Sequence, residues 1–274
     1  MKRDLKDCTF IIPIRVESED RMRNVVTVLC YLISNFDTNI IVKEVDETSI
    51  FKSHIEEQIK EFCSDISCLK YIFEKSSDPI FLREKILNEM LSLTTTKVVV
   101  NYDCDVIFLP EVYKESYRRI IENESDVVYP YGEGPWQYRV HATDELVSTF
   151  LNEEFNLNIL KNSSWVDNAG HGWVQFFNRY VYIEGGMENE NFKGSAPDDY
   201  ERHHRFTTLG YKVDRIDEYI FHLEHSRGMN SYPNSMTQHP YWEHNWNLWQ
   251  FLEKCDKEQL IDYYSNQEYL KKYL

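Results

Sequence analysis

Asp103–Cys104–Asp105 is the segment of this 274-residue chain best equipped for chemistry. Its two carboxylates, one residue apart, follow an apolar β-branched run, Val98–Val99–Val100. Such a run suits a strand buried on both faces, as in a parallel sheet. In open α/β sheets, ligands gather beyond the carboxyl ends of the strands. Aspartates at i and i+2 of an extended backbone point to the same side. They can hold a hard divalent cation, which in turn grips a diphosphate. A D-x-D alone also occurs in turns and at solvated strand ends, so other residues must support the reading.

Two other clusters bear on it. In Phe221–His222–Leu223–Glu224–His225–Ser226–Arg227 both imidazoles can reach one metal if the chain turns at Leu223–Glu224. Otherwise one histidine packs and the other is solvated. Imidazole with carboxylate oxygen suits manganese, zinc or iron better than calcium. The second cluster runs from Glu184–Gly185–Gly186 through Phe192 to Asp198–Asp199. Adjacent acids opening a helix complement its dipole. Alternatively, one of them is a general base in a cleft.

The elements that must position these groups alternate. Thr9–Ile14 reads as a first strand, and 20–33 has helical apolar spacing. Strands are expected at Ile40–Val45 and Leu69–Phe73, with a helix at Ile50–Phe62 between them. Pro79 is expected to open a helix carrying Leu82, Ile86, Leu87, Met90 and Leu91. The Val98–Val100 strand follows, then a helix from Pro110 and a strand at Asp126–Tyr129. From Gly132 to Asn168 the pattern weakens, with a helix expected near Leu146–Leu151. Val174–Phe177 reads as a strand, and Pro197–Leu209 as a helix stopped by Gly210. Short strands close the pattern at Lys212–Ile216 and Tyr219–Leu223. The alternation predicts an α/β fold with a mixed, largely parallel central sheet. The tail from Tyr232, with Trp242, Trp246 and Trp249, reads as an aromatic, helical extension.

Composition narrows the function. A net charge of −16 repels DNA and RNA, and the longest cationic cluster, Arg21–Met22–Arg23, is short. Nucleic acid is therefore not expected as a partner. The six cysteines form no CxxC pair and read as reduced, buried thiols. No apolar segment precedes the first strand or is long enough to span a bilayer, which sets the expectation of a cytoplasmic protein.

Five segments, in order, resemble the β-1,4-galactosyltransferase group. Pro13–Ile14–Arg15 resembles its P-x-R opening, and Arg83–Glu84–Lys85–Ile86–Leu87–Asn88 its R-x-K-x-L-N helix. Asp103–Cys104–Asp105 with Leu109–Pro110 resembles its D-x-D strand end. Gly185–Gly186 through Phe192, then Asp198–Asp199, resembles its G-G-x-x-E-x-F and G-W-G-x-E-D-x-E block. His225–Ser226–Arg227 resembles its terminal H-S-R. Broader relatives are the inverting GT-A glycosyltransferases, including polypeptide N-acetylgalactosaminyltransferases and bacterial capsule polymerases.

The resemblance implies a GT-A, Rossmann-like nucleotide-sugar fold over 1–229. Residues 1–109 would form the nucleotide half and 110–229 the acceptor and metal half, with 230–274 as the extension. Asp105 and His225 would ligate Mn²⁺ or Mg²⁺. His222 falls where the group has a methionine ligand and is a third candidate. Pro13, Arg15 and Arg83 would contact the nucleotide, Asp46 would approach uracil, and Asp103 would lie near ribose or metal. Gly185 and Gly186 would line the donor site. Asp199 matches the general base, and Asp198 a glutamate that contacts sugar. The implied reaction is inverting transfer of a hexose or N-acetylhexosamine from a UDP-sugar, with UDP-galactose or UDP-N-acetylgalactosamine favoured. The implied acceptor is a glycan or lipid-linked glycan of a surface polysaccharide or capsule, reached at the inner membrane face.

Departures concern the acceptor. Gly194–Ser195–Ala196 stands for G-W-G, so the acceptor-stacking tryptophan is missing. That role would move to Trp136, Trp165, Trp173 or a tail tryptophan. The tail itself would meet a membrane surface, cover the core edge or form a homodimer contact. Two alternatives remain: a non-catalytic sugar-binding protein of the same fold, and a sugar nucleotidylyltransferase. The latter needs a glycine-rich loop after the first strand, and 13–18 has no glycine.

Overall fold

The computed structural model describes residues 2–194, 196–231 and 235–273. Ser195 and Tyr232, on which two of the expectations above fall, lie outside the described residues.

The central sheet is built on β1 (Arg3–Ile14), β2 (Phe36–Asp46), β3 (Leu69–Lys75) and β4 (Val98–Tyr102). These four pair in parallel, with Phe10 opposite Ile40 on one side and Val100 on the other. Val98, Val99, Val100 and Tyr102 are fully buried, as a strand covered on both faces requires. The sheet continues through β6 (Val127–Tyr129), β9 (Val174–Asn178) and β10 (Val213–Arg215) in the order β10-β6-β9-β4-β1-β2-β3. Only β9 runs antiparallel to its neighbours. The carboxyl ends of β1 and β4 therefore open on one edge, which brings Pro13–Arg15 beside Asp103–Asp105.

Helices α1 (Glu19–Asn35), α2 (Glu56–Phe62), α3 (Arg83–Leu91) and α4 (Pro110–Ile121) supply the crossovers and cover. A π-helical turn at Phe51–Ile55 leads into α2. The expected helix start at Pro79 is corrected: Pro79–Leu82 form a loop and α3 begins at Arg83. Local bonds hold that loop, since Asp78 accepts the Ile80 N–H and the Pro79 carbonyl accepts from Arg15.

A second, four-stranded sheet was not expected from the weakly patterned 132–168 region. It orders β5 (Val106–Ile107), β11 (Ile220–Leu223), β7 (Gly134–Val140) and β8 (Ser164–Ala169) as β5-β11-β7-β8. Helix α6 (Leu157–Asn162) packs on β7 and β8, α5 (Asp144–Asn152) lies against α6 and α1, and α7 (Arg179–Glu184) follows β9 and packs on it. The chain then forms α8 (Asp198–Leu209), ended by Gly210 at φ +92°, and the tail helices α9 (Trp242–Leu252) and α10 (Lys257–Ser265). No helix among the described residues is long and apolar enough to cross a membrane.

The tail packs on α8 through a buried polar knot. Arg205 and Glu201 pair at 2.9 Å, the Tyr264 hydroxyl donates to Glu201, and the Arg205 guanidinium lies 4.4 Å over the Tyr264 ring. Gly185 and Gly186 belong to this knot. A Cβ at Gly185 would lie 2.5 Å from the Phe206 ring, and one at Gly186 2.4 Å from Tyr264. Gly186 also has φ +95°, a backbone region open to glycine.

Candidate active site

The register of β5 against β11 sets His222 opposite Val106, one residue past Asp105. The Leu223 N–H donates to the Asp105 carbonyl at 2.7 Å. After Leu223 the chain leaves the strand, with the Glu224 N–H still bonded to the Val140 carbonyl. His225 Nε2 then lies 2.9 Å from Asp105 Oδ2, and His222 Nε2 lies 3.7 Å from the same oxygen. Residues 120 positions apart are thus joined at one point. The His225 turn is tied to α1, where Asp20 accepts from both the backbone N–H and the hydroxyl of Ser226.

These residues fit a divalent cation. One ligand atom from each of Asp105, His222 and His225 lies within 4.8 Å of the others. Asp105 Oδ1 is buried with no hydrogen-bond partner among the described residues, so a lone pair is left for a ligand. The donor set suits Mn²⁺, zinc or iron. A carboxylate orients one imidazole: His222 Nδ1 meets Glu224 at 2.7 Å, which turns Nε2 toward Asp105. Arg139 grips Glu224 through two bonds and reaches Asp167 at 3.1 Å. Burial opposes charge on His222, yet Asp105 and Glu224 raise it to about 9. Burial likewise opposes charge on Asp105, but the two imidazoles hold it well below the usual carboxylate range.

The cluster forms one side of a cleft of about 280 Å³. Pro13 and Arg15 line it. Arg15 is oriented by the Val45 and Pro79 carbonyls and lies 5.4 Å over the Phe81 ring. Asp103 also lines the cleft but turns away from the cluster, pairing with Arg83 at 2.7 Å. Asp46, at the end of β2, is not among the lining residues, and its carboxylate accepts the adjacent Glu47 N–H.

Gly185 and Gly186 are also absent from the lining. Close packing against Phe206 and Tyr264 accounts for the absence of a side chain at both.

On another wall, α8 presents Asp198 and Asp199 from its first turn. Their environments differ. Asp198 is 2.8 Å from Arg202 and 4.0 Å from Arg83, while Arg202 is buried against Glu188 at 2.8 Å. Glu188 is in turn bonded by Asn101 and Tyr182. Asp199 has a buried Oδ1 with no partner among the described residues. Burial first, then the charge of Asp198, pushes its carboxyl up to about 6. Asp198 is thus clamped by arginines, while the raised Asp199 carboxyl is left to take a proton.

Three more lining residues bear on the chemistry, of which Arg21 lies in none of the five motif segments. Arg21 and Arg227 add positive charge, and Arg21 Nε, 3.8 Å from Glu17, is buried with no hydrogen-bond partner among the described residues. Trp173 is the only tryptophan among the lining residues. It sits at φ +59°, and its carbonyl accepts the Asp103 N–H at 3.0 Å. Trp136 instead packs on Tyr219, and Trp165 lies under Arg139.

Neither protein-family models nor curated protein sequences match this chain. Solved structures do. The mannosyltransferase PcManGT from Pyrobaculum calidifontis, in complex with GDP-Man and Mn²⁺, aligns with 96% of this chain and 69% of its own at a TM-score of 0.57 and 14% identity. S. aureus TarS aligns with 82% of this chain and 37% of its own, with TM-score 0.50 and 13% identity. The catalytic domain of Drosophila beta1,4-galactosyltransferase 7, in complex with xylobiose, aligns with 80% of this chain and 71% of its own at 0.47 and 13%, too distant to carry weight. The likeness establishes the fold, a GT-A architecture. It does not single out the galactosyltransferase group.

Proposed function

We propose that the protein is a metal-dependent, inverting glycosyltransferase that moves a hexose or N-acetylhexosamine from a nucleoside diphosphate sugar to a glycan hydroxyl. One observation carries the reading. Three candidate metal ligands, Asp105, His222 and His225, and a carboxylate, Asp199, whose buried Oδ1 has no hydrogen-bond partner among the described residues, line the same cleft.

Asp105, His222 and His225 would hold the cation. When bound, a divalent ion neutralises the charge that builds on a departing diphosphate. Arg21 and Arg227 add positive charge to the same cleft. Pro13 and Arg15 would border the nucleotide. Asp199 accepts the proton of the acceptor hydroxyl as that oxygen attacks the anomeric carbon from the face opposite the leaving group. An α-linked donor then yields a β-linkage. Asp198, clamped by Arg202, would hold a sugar hydroxyl rather than move a proton. Trp173 offers the aromatic face for the acceptor that Gly194–Ser195–Ala196 lacks.

The residue resemblance favours a UDP-sugar, with UDP-galactose or UDP-N-acetylgalactosamine first. The likeness in fold to a mannosyltransferase holding GDP-Man and Mn²⁺ keeps guanosine donors in the screen. Nucleotide release from a panel of UDP- and GDP-sugars with Mn²⁺ tests the reading. Turnover that Asp199→Asn lowers by roughly 10²–10⁴-fold, with nucleotide affinity retained, supports it. Sugar binding without release by the wild type would make this a lectin-like protein instead.

A further inference from the structure

Glu84 follows Arg83 on α3 and lies in the cleft wall, 1% exposed. Its Oε2 accepts the Gly194 N–H at 3.2 Å. Its Oε1 is buried and has no hydrogen-bond partner among the described residues. A buried carboxyl oxygen left unpaired is costly, and folded proteins rarely keep one without a ligand to meet it. The R-x-K-x-L-N pattern does not specify this position.

The surroundings fix where the free oxygen sits. Gly194 has φ +68°, and a Cβ there would lie 2.6 Å from the Phe81 carbonyl oxygen. The loop thus closes tightly over Glu84, and Phe81, Gly194 and Ala196 line the cleft with it. The preceding residue, Arg83, reaches Asp103 at 2.7 Å and Asp198 at 4.0 Å. Glu84 therefore belongs to the wall between the strand-end carboxylates and the base-bearing helix. A sugar joined to a diphosphate at Asp105 must cross that interval to bring its anomeric carbon to the hydroxyl that Asp199 activates. Burial, then the Asp198 charge, pushes the Glu84 carboxyl up to about 8, so near neutrality it can donate as well as accept.

We propose that Glu84 is a specificity-determining residue whose free Oε1 hydrogen-bonds a hydroxyl or amide group of the donor sugar. The inference rests on the glycosyltransferase reading above. A site built to pair with one substituent rejects the analogue that lacks it.

The test measures dissociation constants with Mn²⁺ for UDP, UDP-galactose, UDP-N-acetylgalactosamine and the deoxy analogues of UDP-galactose. GDP-linked counterparts replace them if GDP is the nucleotide bound. In the wild type, loss of one substituent should weaken binding about tenfold or more. In Glu84→Ala that penalty should shrink to within about twofold while affinity for the bare nucleotide diphosphate holds. Glu84→Met, of similar length but with no strong pairing group, answers the same question if the alanine variant does not fold. Equal penalties in wild type and variant, or no penalty at any position in the wild type, overturn the role of Glu84 alone. Failure of the wild type to bind any nucleotide diphosphate with Mn²⁺ overturns the glycosyltransferase reading, and this inference with it.

Discussion

Lowering the pH from 7 to 5 should remove most of the transfer rate at saturating metal and donor. The magnitude comes from Asp199, whose carboxyl is raised to about 6, by burial first and the Asp198 charge second. A general base works only when ionised, so the rate gains as pH rises through that value. The ionised fraction is about 0.9 at pH 7 and about 0.1 at pH 5, a loss near tenfold, whereas an ordinary aspartate would stay about nine-tenths ionised at pH 5. Stability moves the opposite way. The folded carboxyl holds its proton more tightly than the unfolded chain does. Its contribution to stability is therefore full below about pH 4 and lost as pH climbs through about 6. Asp198→Asn removes the like charge but not the burial, so the acid limb should move to lower pH without vanishing. The assay is single-turnover transfer, or donor hydrolysis, from about pH 4 to 8 with excess Mn²⁺, with circular dichroism to verify folding. A limb centred below about pH 4.5, or the same limb in Asp199→Asn, would refute the assignment of the base.

Other expectations follow from the same geometry. Glu224→Gln should weaken Mn²⁺ binding by roughly 10–100-fold by calorimetry, because Glu224 fixes the ring of His222; an unchanged affinity removes His222 from the ligand set. Arg205→Met leaves Glu201 buried with one partner fewer and should cost about 3–5 kcal/mol in denaturant unfolding. A cost under about 1 kcal/mol would show that the tail knot is not a stabilising contact. Gly186→Ala should lower the melting temperature through its positive φ and the Tyr264 ring, yet leave nucleotide affinity intact. Weakened nucleotide binding in a folded Gly186→Ala protein would assign the glycine to the donor site.

The parts of the fold legible from sequence were those that bury apolar side chains continuously. Val98–Val100 and the first strand could be read because both faces are covered, and that pattern survives in a single sequence. The second sheet was hidden because β7 and β8 are half-exposed, with no clean alternation from Gly134 to Ala169. Pro79 misled because its loop is fixed by Arg15 and Asp78, contacts a local pattern does not contain. At the site, Asp105, His222 and His225 were readable by residue type and order. Gly185–Gly186 fitted a motif by spacing, but two aromatic rings require those glycines. Glu84 and Arg202 gave no signal at all. Glu84 meets Gly194, and Arg202 meets Glu188, only through the tertiary packing of α3 and α8 on the loop between α7 and α8, although the Arg202–Asp198 pair is local to α8.

The central claim is that one cation joins a strand-end carboxylate to two imidazoles and thereby binds a nucleotide diphosphate. Anomalous diffraction at the manganese edge, on crystals soaked with Mn²⁺ and UDP or GDP, addresses it most directly. A single peak bonded to Asp105 and His225, with His222 facing it and the diphosphate against it, is the expected result, and it should be absent in Asp105→Asn. A nucleotide bound with no manganese near Asp105, or a peak unchanged in Asp105→Asn, would contradict the account.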